Sequence, residues 1–139
     1  MILKLYYKIW IDAINAVIKK NDENQKDWKI ILLIIFSVAQ GVNLLTVFFW
    51  LNTFNIKYDI FFDFDFFPGD MLDGFLSGFI TLFLPFILLN YFLIFRKRRY
   101  QDYREIYSGM NTQGRAFMLY FIISVLIFIL PIIIGKWIL

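Results

Sequence analysis

Between residues 58 and 73 the chain reads YDIFFDFDFFPGDMLD, five carboxylates and five phenylalanines in sixteen positions. Carboxylates this close together are hard oxygen ligands of the kind that hold Ca²⁺ or Mg²⁺. The spacing does not fit the helix–loop–helix calcium loop, whose ligands stand at positions 1, 3, 5 and 12 with glycine at 6. Counted from Asp63, positions 5, 6 and 12 fall on Phe67, Pro68 and Gly74. No metal site and no cofactor is therefore assigned. Two of the acids have a local role. Pro68-Gly69 turns the chain, Asp70 is placed as the N-cap of the helix that follows, and Asp73 stands in its first turn, where the helix dipole favours negative charge. Asp63 and Asp65 have no such explanation. They alternate with Phe62, Phe64 and Phe66, so in an extended segment the rings share one face and the acids the other. Phe62, Asp63, Phe64, Asp65 and Phe66 are expected to contact either the membrane boundary or another protein.

The remaining inventory of reactive side chains is sparse. The chain has no cysteine and no histidine. Their absence removes disulfides, thiolate metal sites and cysteine nucleophiles, together with the commonest general base at neutral pH. No Asp, Glu, Lys or Arg lies between Lys29 and Lys57, between Asp73 and Arg96, or between Arg115 and Lys136. Charged groups at membrane depth mark ion-coupled transport. Lacking them, the chain reads as a non-enzymatic protein rather than a pump, a transporter or an intramembrane protease.

Those three uncharged stretches are also what must position everything else. The sequence is 60% hydrophobic and 22% aromatic, and the apolar excess falls in runs at 30–51, 71–95 and 116–135. About 20 apolar residues make a helix long enough to cross a hydrocarbon core of ~30 Å. The fold class is therefore all-α integral membrane: an N-terminal amphipathic interfacial helix and polar linker over 1–29, then a three-span domain over 30–139. Polar positions Lys4, Lys8, Asp12, Asn15 and Lys19 form one helical stripe. That helix lies either in the headgroup interface or against protein, a partner or this chain's own loop. Six basic residues precede the first span and six more, Arg96, Lys97, Arg98, Arg99, Arg104 and Arg115, separate the second from the third. The positive-inside rule then places the N-terminus in the cytoplasm and the C-terminus on the far side. Arg96, Lys97, Arg98 and Arg99 either attract anionic lipid or serve only to stop and orient the span. A loop of about twenty residues tied at both ends to the bilayer offers a duplex little surface, so no nucleic acid is expected as a partner.

Within the spans, Ser37, Gln40, Gly41 and Asn43 in the first and the Gly74–Gly78 pair in the second are the candidate helix-packing residues. Small residues four apart let backbones approach, and an amide in hydrocarbon needs a partner. Gln40 and Asn43 either bond across to another helix or, with Thr46, line a polar path. Pro85 should bend the second span or free a carbonyl for a neighbour, and the span is expected to run on as a helix past residue 95 to a cap at Gly109. Asn90 is expected to bond locally. The third span reads as mostly lipid-facing, with Ser124 its central polar residue.

The run FFPGDMLDGF, the later FLPFILLNYFLIFRKRRY and the early KIWIDAI resemble small uncharacterised multispan inner-membrane proteins of Gram-negative Bacteroidota. The resemblance implies a bacterial inner membrane and no particular activity. Together these readings predict an accessory or scaffold subunit of a larger inner-membrane complex, in contact with membrane lipid and with other subunits or copies of itself. The alternative is a homo-oligomeric channel or a membrane-disrupting effector.

Overall fold

The computed structural model describes residues 1–20, 27–57, 65, 68–109 and 113–138. The linker residues 21–26, together with Phe62, Asp63, Phe64 and Phe66 of the aromatic strip, lie outside the described residues, whereas Asp65 is described and exposed. Among the described residues there are six α-helices: α1 (Ile2–Lys20), α2 (Asp27–Thr53), α3 (Asp70–Leu82), α4 (Leu84–Asn90), α5 (Arg99–Ile106) and α6 (Arg115–Ile138). Among the described residues there is no strand. Three helical stretches, Asp27–Thr53, Asp70–Ile106 and Arg115–Ile134, are long and apolar enough to cross a membrane. Helices answer the requirement that backbone groups in lipid find partners within their own segment.

The second stretch is irregular, and each irregularity has a local cause. Pro85 lacks an N–H, so α3 ends at Leu82 and α4 restarts at Leu84 with the proline in its first turn. Phe83 bridges the break: its N–H donates to the Phe79 carbonyl at 3.0 Å and its carbonyl accepts from Ile87 at 3.0 Å. After Asn90 comes a π-helical turn, Tyr91–Phe95. Lys97 and Arg98 then adopt φ of 55° and 56°. The second span thus does not run on as a helix past residue 95; two left-handed residues stop it, and α5 is a separate helix. The cap of α5 is Tyr107, not Gly109; among the described glycines only Gly69 and Gly114 have positive φ. At the start of α3 the cap is Gly69, at φ 123°, and Asp70 is already helical with no side-chain cap bond. The turn uses glycine's freedom at positive φ, which moves Asp70 from the cap into the helix.

Burial around α1 departs most from a helix lying on a bilayer. Trp10, Ile11, Asp12, Ala13 and Ile14 are all buried. Five consecutive residues exceed the 3.6 of one turn, so protein surrounds this turn on every side. Trp10 stacks on Phe36 of α2 at 3.8 Å between ring centroids and meets Phe95 edge-on at 5.6 Å. Tyr7 stacks on Tyr103 of α5 at 4.0 Å. Such pairs contribute about 0.5–1.5 kcal/mol each beyond their buried area. The lysines of the polar stripe, Lys4, Lys8 and Lys19, are exposed, but Asp12 and Asn15 turn inward. Trp28 is likewise buried, against Phe95 and Tyr100. By contrast, Ser124 is the one described residue of α6 that the rest of the chain buries.

Candidate functional site: polar seams between the helices

Three polar clusters hold the helices in register. The first joins α1 to α6. The opening N–H groups of any helix lack intrahelical acceptors, and Asp12 supplies them. One carboxylate oxygen accepts from Gly114 N–H at 3.0 Å; the other accepts from Ala116 at 2.9 Å and Phe117 at 3.3 Å. The positive end of the α6 dipole favours the charge. Gly114 stands at φ 85°, and a Cβ there would lie 3.1 Å from Ala16 Cβ, so both its backbone and the approach of α1 call for glycine. One turn along α1, Asn15 Oδ1 accepts from Arg104 Nε of α5 at 3.0 Å.

The second cluster centres on Asn90, whose side chain is completely buried. Its amide donates to Gln40 Oε1 at 2.8 Å and to Ser37 Oγ at 3.1 Å, and its oxygen accepts from the Tyr6 hydroxyl at 2.7 Å. One side chain of α4 thereby ties α2 to α1. Asn90 bonds across helices, not locally, because Ser37 and Gln40 face it from α2. Burial pushes the Tyr6 phenol well above its ordinary pKa, so it stays protonated as the donor. A crevice of about 210 Å³ opens beside this cluster, lined by Tyr6, Gln40 and Tyr120 among apolar side chains of α1 and Phe36.

The third cluster joins α2 to α6. Asn43 Nδ2 donates to the Tyr120 hydroxyl and to Ser124 Oγ, both at 3.1 Å. Gln40 and Asn43 therefore point to different neighbours, three residues apart on one helix. Thr46 is buried and donates to the Val42 carbonyl at 2.9 Å.

The glycines divide. A Cβ on Gly41 would stand 2.6 Å from the Phe83 ring and 3.0 Å from the Leu82 carbonyl oxygen, so α2 approaches the Pro85 break closely at that point. Nothing lies within 4 Å of a Cβ on Gly74 or Gly78. The face of α3 that the chain buries includes Asp73, Ser77 and Thr81, at successive four-residue steps, and beside it Gly74 is exposed and Gly78 half-buried.

Arg96, Lys97, Arg98 and Arg99 are all exposed. Among the described residues no three His, Cys, Asp or Glu side chains group as metal ligands. Chemically, the three seams exchange hydrogen bonds within the fold and fix the rotation of each helix.

Sequence reasoning did not single out Asp12, Asn90, Tyr6 or Tyr120 as partners. Asn90 could have been found by the rule applied to Gln40 and Asn43, since it is a third amide inside an apolar run. Asp12 carried a signal too, as the one acid in a stripe otherwise of lysines and asparagine. Comparison with protein-family models, curated proteins and solved structures finds no match for this chain.

Proposed function

We propose that this chain is a non-enzymatic accessory or scaffold subunit of a larger complex in a bacterial inner membrane, with its N-terminus cytoplasmic and its C-terminus on the far side. The observation that carries the reading is the open strip at Gly74 and Gly78. It is a close-approach surface of the kind membrane helices use to associate, and among the described residues nothing lies within 4 Å of a Cβ at either glycine. The packing of α1 on α5 and on the start of α6 supports the topology, because it gathers the two basic segments at one end of the bundle. The alternative of a self-assembled channel needs Gln40, Asn43 and Thr46 to face a shared path. Asn90, Tyr120, Ser124 and the Val42 carbonyl already engage them.

Gly74→Leu and Gly78→Leu test the reading. Among the described residues a Cβ at either position has no neighbour within 4 Å, so a fall in the partner recovered by mild-detergent pull-down, with the thermal midpoint of the chain unchanged, reads on association. The expected loss is about tenfold, the weight of ~1–2 kcal/mol of close helix packing. Unchanged recovery of a partner, or a wild-type chain that elutes alone and monomeric, would sink the proposal.

A further inference from the structure

We propose that the turn after the second span, Arg96 to Arg99, together with Lys29 from the start of the first span, is a binding site for the phosphate of an anionic bilayer phospholipid. The inference needs only that the chain sits in a bilayer, and it stands apart from the accessory-subunit reading.

The turn is strained where the apolar run ends. Arg96 is extended, with φ −60° and ψ 129°, and Lys97 and Arg98 follow in the left-handed region. Two adjacent residues with side chains rarely share that conformation, because each Cβ crowds the following carbonyl. Such strain persists only when the surrounding structure enforces it. Here the enforcing contacts are on α5, which folds back so that Tyr103 stacks on Tyr7 while Tyr100 is buried. An unbroken helix would spread four successive side chains around its axis. The broken one leaves all four cations exposed.

Tertiary structure adds a fifth cation. Lys29 Nζ lies 5.1 Å from the Tyr100 ring centroid and 5.6 Å from that of Trp28. Tyr100 directly follows Arg99, so the first cation of α2 stands beside the turn. Arg96 is fixed in the same way, 5.2 Å over the Phe92 ring. Among the described residues none of these five cations forms an ion pair, although Asp102 and Glu105 stand nearby in sequence on α5. Guanidinium groups match phosphate oxygens in a two-bond fork.

The apolar neighbourhood identifies the anion as amphiphilic. Leu88, Leu89, Tyr91 and Phe92, immediately before the turn, are exposed. They close the second apolar run, so in a bilayer the turn stands at headgroup depth, within reach of phospholipid phosphates. A phospholipid covers them with its acyl chains while its phosphate reaches Arg96.

The test uses the full chain in nanodiscs of phosphatidylcholine with phosphatidylglycerol, with retained lipid counted by native mass spectrometry. Lys97→Asn with Arg98→Asn removes two charges, and asparagine tolerates the left-handed backbone. A cation near an anionic surface is worth about fivefold in binding, so this pair should lose about thirtyfold of the retained phosphatidylglycerol. Lys57→Gln with Lys136→Gln removes the same charge from the far ends of the spans, outside the proposed site, and should leave retention within about twofold. If the first pair fails to fold, Arg96→Gln with Arg99→Gln carries the same expectation without touching the strained residues. Equal losses in turn and control variants would reduce the effect to net charge and overturn the site. Retention unchanged in the turn variants would do the same. Displacement of the lipid by excess inorganic phosphate would overturn the lipid assignment in favour of a simple anion site.

Discussion

The end of the bundle around α1 and the outer strip of α3 handle the same residue types in opposite ways. Around α1, small and polar residues meet partners from other helices. Gly114 meets Ala16, Asp12 meets the start of α6, and Asn90 meets three side chains from two helices. Along α3, Gly74 and Gly78 meet nothing within 4 Å of where a side chain would begin. Gly41 makes the contrast sharper. It belongs to the same kind of small-residue motif, yet it sits against the Phe83 ring and the Leu82 carbonyl. A spacing that permits close approach does not compel it. Compulsion comes from a neighbour with a reason to be there, and for Gly41 that reason is the chain break imposed by Pro85.

Substitutions can break this contrast, the strongest first. Asp12→Ala should cost the most, about 3 kcal/mol, because it removes charge-assisted bonds and strands helix-opening N–H groups. Thermal unfolding in detergent, followed by tryptophan fluorescence, would show it as a large drop in midpoint. Asp12→Asn keeps an acceptor and should recover part of that loss. Asn90→Ala comes next, at about 2 kcal/mol, since interhelical bonds in membrane proteins average ~0.6 kcal/mol and the buried partners left behind add to the loss. A double-mutant cycle with Tyr6→Phe should show positive coupling; strict additivity would mean that the Tyr6–Asn90 bond contributes nothing. Gly41→Ala should cost about 1–2 kcal/mol, as the new methyl displaces the Phe83 ring against a fixed carbonyl. Gly78→Leu should change the midpoint least, within about 0.5 kcal/mol of wild type. A large destabilisation of the isolated chain by Gly78→Leu would erase the contrast between the two regions.

Much of the candidate site could be read from the chain as a requirement but not as a pairing. Gln40 and Asn43 were recognisable as amides that need partners in an apolar run. Which partners they take could not be read, because their directions differ by the rotation of three helical positions, and only the packed neighbours say what lies along each. Asn90 looked like a local bonder because it sits near the end of its run. Its actual partners are 50, 53 and 84 positions away. The glycine pair in α3 stood out more than Gly41 as a motif, yet within this chain Gly41 is the one that is packed.

By itself, the sequence determined that three helices are long and apolar enough to cross a membrane. It determined this because span length and apolarity are properties of contiguous residues, and a backbone in hydrocarbon has few ways to satisfy itself. Only the tertiary structure decided that the middle turn of the N-terminal helix, Trp10 to Ile14, is buried by the bundle, that Asp12 closes the start of α6 more than a hundred residues later, and that the chain folds back at Lys97 and Arg98. Those outcomes depend on how separate helices rotate and approach. That is a matter of contacts between residues far apart in the chain, which local periodicity does not encode.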